Sequence, residues 1–278
     1  MAKIIKKTEL AASIKLMELE AGDVANHAKA GQFVILIIDE EGERIPLTIA
    51  DFNKEKGIVT IVFQEVGKTT LKLGKFKEGD NITHINGPLG KPSEIENYGN
   101  VVIVGGGVGI APIYPIARAL KQAGNKIYSI IGARSKDLLF WEEKMRKVSD
   151  ELSITTDDGS YGIHGFVTDP LKQIIEREKI AKVVAIGPIP MMKAVCKVTR
   201  EKAVPTVVSL NSLMVCGMGM CGACRVKVAN HTKFTCFEGP EFDGLNVDFA
   251  ELAERLSTYK CEEKNALEDY EEELNASK

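Results

Sequence analysis

Cys216, Cys221, Cys224 and Cys236 are spaced C-x4-C-x2-C-x11-C, inside VCGMGMCGACRVKV and the TCFEGP that follows. Thiolates are soft, negatively charged donors for iron or zinc, and this spacing is that of a plant-type [2Fe-2S] cluster, which passes electrons one at a time. Three of the thiols fall in one tight loop. There Gly217, Gly219 and Gly222 keep side chains out of the approach and let backbone amides turn toward sulfur. A structural zinc ribbon also takes four cysteines, but it pairs two C-x2-C knuckles. Here one knuckle, a longer first gap and a lone fourth cysteine favour iron. Cys196 and Cys261 are left over and read as buried or incidental thiols.

A second chemical signal lies mid-chain. The apolar run Val101 to Val104 leads into Gly105-Gly106-Gly107-Val108-Gly109-Ile110-Ala111-Pro112, and a helical pattern follows at once. Glycines let a backbone approach a pyrophosphate, and the first turn of the next helix offers free N–H groups. Pro112 suits that first turn because no hydrogen bond is required of its nitrogen. Two other segments end strand-like runs of the same region: Asp157-Asp158-Gly159 after a third strand, and Gly187-Pro188 with Met191 after a fourth. Loops at the carboxyl ends of parallel strands form the ligand crevice of such folds, although DG and GP pairs are also plain turn signals. After the second strand, GARSKD has no acid to hold a ribose 2′-hydroxyl, and Arg134 and Lys136 could meet a 2′-phosphate. Solvated loop charges explain the two cations equally well, so NAD and NADP both stay open.

These residues need a frame. With 278 residues, 44% of them hydrophobic, the chain is long enough for two or three cored domains. The net charge of −3, with no basic face or polybasic run, argues against nucleic acid or a membrane surface as partner. No apolar stretch has signal-peptide or membrane-spanning length, and cysteines used as metal ligands suit a reducing compartment, so a cytoplasmic protein is expected. Residues 1–97 carry β-branched runs (AGQFVILIID, KGIVTIVFQEVG, GDNITHINGP) bounded by turn residues, which predicts a small antiparallel barrel. Residues 98–204 alternate strand and helix, which predicts an α/β domain with a parallel, Rossmann-like sheet. Residues 205–247 form a module too small for a core without metal. Residues 248–278 read as a helical acidic tail, with Phe249, Leu252, Leu256 and Tyr259 on one face, against this chain or a partner, and a Glu-rich end fraying after Cys261.

Barrel, glycine-rich α/β domain, GPIPMM turn and trailing cysteine module together resemble the ferredoxin-NADP reductase superfamily of flavoproteins, over nearly the whole chain. A C-terminal [2Fe-2S] module is similar to two of its branches: electron-transfer subunits of NAD-dependent dihydroorotate dehydrogenase, and small subunits of NADH-dependent ferredoxin:NADP oxidoreductase. The long tail favours the second. The resemblance implies an FAD site on the barrel. Arg44, Pro46, Leu47 and Thr48 would line the isoalloxazine, with Thr48 as the catalytic residue near flavin N5. Val62, Phe63 and Gln64 would run beside the flavin, and Gly67, Thr69 and Thr70 would meet its pyrophosphate. In the family the arginine stands three residues before the Ser or Thr; Arg44 is four before. Gly67-Lys68-Thr69 also looks like part of a Walker A motif, but the glycine needed five positions earlier is Val62. Many members carry a cysteine before the Gly-Pro turn, where this chain has Ile186. Some relatives replace the first cluster cysteine with aspartate; Cys216 implies all-thiolate ligation.

The implied function is hydride exchange with NAD(H) at FAD and single-electron transfer through the cluster. The implied partner is a larger FAD/[4Fe-4S] subunit resembling the glutamate synthase small subunit, with ferredoxin acting through that partner in an electron-bifurcating hetero-oligomer. The alternatives are the dihydroorotate dehydrogenase electron-transfer subunit, and a zinc-bearing, nucleotide-responsive interaction subunit without electron transfer.

Overall fold

The structure is a computed structural model that describes residues 1–40 and 42–276. Seven strands make the first sheet: β1 (Ala2–Ala11), β2 (Ile14–Glu20), β3 (Phe33–Ile37), β4 (Arg44–Asn53), β5 (Ile58–Gln64), β6 (Asn81–Ile82) and β7 (His84–Leu89), in the order β6-β1-β2-β5-β4-β3-β7. Every pairing in it is antiparallel. Its two ends, β6 and β7, are separated in sequence by Thr83 alone, so the sheet has to curl until its edges approach. This closure produces the expected barrel and hides its edges. Two short helices, α1 (Gly22–His27) and α2 (Lys68–Leu73), join its strands.

Strand side chains alternate between faces, and β3 gives the two faces different tasks. Val34 and Leu36 point into the barrel core with Ile4, Met17, Leu19, Ile61 and Phe63. Phe33 and Ile35 point outward, into a separate cluster with Met214, Cys224 and Cys236.

The second sheet holds β8 (Asn100–Gly106), β9 (Lys126–Ala133), β10 (Glu151–Thr156), β11 (Ile163–His164), β12 (Lys182–Ile186) and β13 (Thr206–Ser209), all parallel, in the order β11-β10-β9-β8-β12-β13. The glycine-rich strand β8 is therefore central, with the reversal of strand order beside it, where such sheets bind nucleotides. Helices α3 (Ile110–Gln122), α4 (Glu142–Val148), α5 (Thr168–Arg177) and α6 (Ile189–Glu201) cover both faces. Val101 and Ile103 of β8 pack with Ile113, Ile116 and Met145 on one side. Val102 and Val104 pack with Leu171, Ile174, Met192 and Val195 on the other.

Beyond β13 come the hairpin β14 (Arg225–Val228) and β15 (His231–Phe234), α7 (Thr235–Glu238), then β16 (Glu241–Asp243), which pairs antiparallel with β13. The sheet thus continues past residue 204, and the cysteine segment is a loop and hairpin enclosed between two of its strands. The tail is α8 (Phe249–Leu256) and α9 (Lys260–Ala276).

Here the structure departs from the single-face expectation. Phe249, Leu252 and Leu256 pack on the core beside α6, whereas Tyr259 is 54% exposed because the chain turns between α8 and α9. The Glu-rich end does not fray after Cys261. It is helical, with Tyr270 only 9% exposed and Lys75 Nζ 4.8 Å above its ring. No helix among the described residues is long and apolar enough to cross a membrane.

Candidate functional site

The cysteine loop is built from left-handed turns: Gly217, Gly219 and Gly222 have φ of +75°, +80° and +71°, which residues with a Cβ rarely adopt. Those turns aim amides at sulfur. Gly219 N donates to Cys236 Sγ at 3.1 Å and Cys221 N to Cys216 Sγ at 3.4 Å. The amides of Met218 and Cys221 draw the Cys216 thiol down to about 6, because they stabilise the thiolate. Burial, and then its neighbour Cys224, push the Cys236 thiol up to about 12.

The four thiols stand as two pairs. Cys224 and Cys236 are 3.1 Å apart, and Cys216 shares a hydrogen bond with Cys221. Among the described residues no three metal-ligating side chains close on a single point. A zinc ion needs four donors around one point, whereas a [2Fe-2S] cluster needs two thiolates on each of two irons. Two adjacent pairs, supplied with amide donors, fit the cluster.

The cluster loop rests on the barrel. A Cβ on Gly217 would stand 2.5 Å from Ile35 Cδ1, so the loop backbone sits close against Ile35 at a position where the left-handed φ favours glycine. Residues directly opposite on paired strands share a face. Phe33 is opposite Thr48, Ile35 opposite Pro46 and Ile37 opposite Arg44. Hence Arg44, Pro46 and Thr48 lie on the same outer face that supports the cluster loop. Arg44 Nη1 donates to Val215 O at 3.5 Å, tying the strand to the residue before Cys216.

The same alternation sorts the other residues expected at flavin by the face that they occupy. Leu47 packs against the barrel core and Phe63, 1% exposed, lies within it, so neither presents a side chain to a group on the outer face. Val62 is buried against the nucleotide-domain core, and Gln64 Nε2 donates to Ser13 Oγ at 3.4 Å. The two hydroxyls expected at a pyrophosphate are already engaged. Thr69 donates to Glu43, and Thr70 Oγ1 accepts from Val66 N and Gly67 N while donating to Gly67 O. Beside Gly67, the ammonium of the exposed Lys68 is a further donor. Of the residues expected at flavin, Arg44, Pro46 and Thr48 are therefore the ones that share the outer face of β4.

At the nucleotide edge glycine permits close packing. A Cβ on Gly106 would meet Met191 Sδ at 2.3 Å, on Gly109 Ile186 O at 2.3 Å, and on Gly187 Met191 Cε at 2.6 Å. Gly107, at φ +55°, starts the short turn through Val108 and Gly109 into α3, whose first residues are Ile110, Ala111 and Pro112. Pro188 caps α6 directly across from this turn. Gly106, Gly109 and Gly187 thus let the turn before α3 pack closely on Ile186, Pro188 and Met191, while Gly107 beside them faces open space. An open backbone turn ahead of a helix is what a pyrophosphate requires. Ile186 closes the end of β12 at 7% exposure and puts no thiol there.

Farther along the edge, Asp157 N donates to Ala133 O and Asp158 N to Arg134 O, each at 3.1 Å. Asp158 Oδ1 accepts from Ser160 N at 2.9 Å and Ser160 Oγ at 2.6 Å, and Ser160 holds the Asp158 carboxyl below the usual range. Gly159 turns the loop at φ +73°.

Sequence reading missed the contacts that join the two domains. Asp51 of β4 pairs with Arg118 at 2.8 Å and Lys144 at 3.3 Å, and both cations also lie over Tyr114. Isolated charges in separate elements carry no local signal. It also missed Glu241, whose carboxyl accepts from Ser93 where barrel, linker and β16 meet.

Comparison with known proteins agrees with this layout. Residues 211–248 match the iron-sulfur cluster binding domain of dihydroorotate dehydrogenase B, and 103–197 match the oxidoreductase NAD-binding domain. The dihydroorotate dehydrogenase B (NAD(+)) electron transfer subunit homolog of Thermotoga maritima is 49% identical over 96% of this chain and 95% of its own length. The dihydroorotate dehydrogenase B (NAD(+)) electron transfer subunit of Desulforamulus reducens is 34% identical over 88% of this chain and 97% of its own. A chain of the NADH-dependent reduced ferredoxin-NADP oxidoreductase, a structure that bears on flavin-based electron bifurcation, superposes with a TM-score of 0.93 at 48% identity, over 97% of this chain and 98% of that one. The chain belongs to the family of dihydroorotate dehydrogenase B electron transfer subunits and their homologues.

Proposed function

We propose that the chain is the NADH-linked electron-transfer subunit of an electron-bifurcating NADH-dependent ferredoxin:NADP oxidoreductase. In this reading it binds FAD on the barrel and a [2Fe-2S] cluster on Cys216, Cys221, Cys224 and Cys236. Bound FAD supplies the exchange between a hydride and single electrons, and the protein supplies orientation. The observation that carries the reading is the shared outer face of β3 and β4: Phe33 and Ile35 support two cluster cysteines, and Thr48, Pro46 and Arg44 stand opposite on the same surface. Gly106, Gly107, Gly109 and Gly187 would hold the nicotinamide dinucleotide by its pyrophosphate, and the apolar Ile186 and Met191 would bound the crevice. No acid or base is needed from the side chains.

Full-length similarity to the bifurcating oxidoreductase chain, tail included, supports this assignment. In this proposal the partner is the one that the family resemblance implies, a larger FAD/[4Fe-4S] subunit resembling the glutamate synthase small subunit, through which ferredoxin acts, and cysteines used as metal ligands suit an assembly in the cytoplasm. The names of the Thermotoga and Desulforamulus relatives favour a second reading, electron transfer from a dihydroorotate-oxidising subunit. The Desulforamulus subunit leaves about an eighth of this chain unmatched, since it covers 88% of it.

The test is anaerobic titration of the purified holoprotein with NADH, following flavin bleaching and the electron paramagnetic resonance signal of the reduced cluster. Both are expected at stoichiometric NADH. Absence of flavin, or zinc in place of iron, would sink the reading. Co-purification decides between the partners: a dihydroorotate-oxidising chain overturns the bifurcating assignment.

A further inference from the structure

Two arginines grip the Cys221–Cys224 knuckle from outside. Arg225 Nη1 donates to Gly222 O and Arg255 Nη2 donates to Ala223 O, each at 3.0 Å. One cation comes from the strand that leaves the knuckle and the other from α8. A trans peptide points its C=O and its N–H in opposite directions. The amides of Ala223 and Cys224 belong to these same two trans peptides, so they are turned away from the cations, and neither has an acceptor among the described residues. They are left as donors for the sulfur of a bound cluster.

Neither guanidinium is neutralised by an acid. Among the described residues no carboxylate forms an ion pair with Arg225 or Arg255. Glu251, one turn before Arg255 on α8, leaves its buried Oε2 without a hydrogen-bond partner. The helix fixes where Arg255 can reach. Phe249 and Leu252 are buried in the cluster that includes Val226 of β14, and Asp248 caps the first turn by accepting from Ala250 N and Glu251 N. Asp248 N donates in turn to Lys227 O at 2.9 Å, which ties the start of α8 to the hairpin that carries the knuckle. Arg255 is half-buried there, whereas Arg225 is exposed. Arg255 also lies beyond residues 211–248, the stretch that matches the cluster binding domain.

We propose that Arg225 and Arg255 form a cationic clasp that raises the reduction potential of the cluster held by the four cysteines. Reduction adds one electron to a group that is already a net anion, because four thiolates outweigh the charge of two irons with their sulfides. The electron is exchanged with the flavin; no covalent bond of the protein forms or breaks, and no proton is taken up. Fixed cations beside the knuckle favour the more negative, reduced form. By polarising the two peptides they also strengthen amide donation on the opposite side. The inference rests on the cluster assigned above and goes beyond it, since cysteine spacing says nothing of potential.

The test is anaerobic potentiometric titration of the holoprotein, with the cluster followed by its electron paramagnetic resonance signal. Wild type is compared with the double variants Arg225→Gln/Arg255→Gln and Arg225→Lys/Arg255→Lys. Glutamine keeps a donor for each carbonyl and removes the charge, whereas lysine keeps the charge. The glutamine variant is expected to favour reduction about tenfold less, a midpoint lower by about 59 mV for one electron, and the lysine variant to recover most of that shift. Added salt should shrink the effect of Arg225→Gln alone more than that of Arg255→Gln alone, because the first charge is exposed. Iron and labile sulfide per chain report that the cluster is intact. A glutamine variant with the wild-type midpoint overturns the clasp, and so does a lysine variant that falls as far as the glutamine one. Loss of iron from both double variants assigns the arginines to loop assembly and overturns their role in potential. Zinc in place of iron in the wild type overturns the cluster reading itself, whatever the arginines do.

Discussion

The backbone of Gly217 lies directly on the side chain of Ile35: a Cβ there would come within 2.5 Å of Ile35 Cδ1 and 2.9 Å of Leu89 Cδ1. The cluster loop is therefore moulded on the outside of the barrel, on the face that also carries Arg44, Pro46 and Thr48. Gly217→Ala should lift the loop, since overpacking costs about 1–3 kcal/mol and the left-handed φ adds strain. Iron and labile sulfide per chain are expected to fall severalfold while FAD content stays near wild type. Full cluster occupancy in the variant would contradict this seating.

The turn after β8 depends on backbone contact with β12. Gly109→Ala would push a methyl group to 2.3 Å from Ile186 O. Because the obstacle is backbone, it cannot rotate away. Binding of ADP-ribose is expected to weaken by at least tenfold, with a stability loss of about 1–3 kcal/mol in a denaturant titration.

Asp51 clamps the barrel to the nucleotide domain through Arg118 and Lys144. All three side chains are partly exposed, so solvent screens the pairs and Asp51→Asn should cost no more than about 1 kcal/mol. The expected signature is salt dependence: the wild-type advantage in thermal midpoint shrinks as ionic strength rises. An effect independent of salt would point to packing instead.

Glu241 gives a pH dependence. Burial pushes its carboxyl above the ordinary 4.5, against the hydrogen bond from Ser93 and the attraction of Lys182, while Glu94 pushes the same way as burial. With the folded value above the unfolded one, the native state binds this proton more tightly. The stability it contributes is present below about pH 4.5 and is lost as pH rises through the raised folded value. Glu241→Gln keeps an acceptor for Ser93 and removes the titration. The variant is expected to melt higher than wild type at pH 7, with the difference vanishing near pH 4. An equal difference at both values would exclude this linkage.

Much of the chemistry was legible because it is local. Four cysteines at fixed spacing with intervening glycines give a candidate ligand set wherever the loop sits, and a β-branched run entering a glycine-rich turn before a helix gives a candidate phosphate turn. The alternation of strand and helix likewise implied a parallel sheet, whereas the place of β8 at the reversal of its order came from the fold. Period-two patterning reveals that a strand has two faces but not what covers each. That Leu47 and Phe63 face the barrel core could not be read on that basis, and burial of the α9 face through Tyr270 was invisible in a Glu-rich composition.

The sequence by itself determined the candidate donors and the glycine turns, since both follow from residue type and short-range geometry. Only the tertiary structure decided their relations. It set the cluster cysteines on the outer face of β3 beside Thr48, returned β16 to the edge of the nucleotide sheet, and bonded the backbone of Asp158 to that of Arg134. Each of these contacts joins residues that neither spacing nor propensity links. They exist because the closed barrel, the parallel sheet and the enclosed cysteine loop must each cover the others' exposed apolar surface.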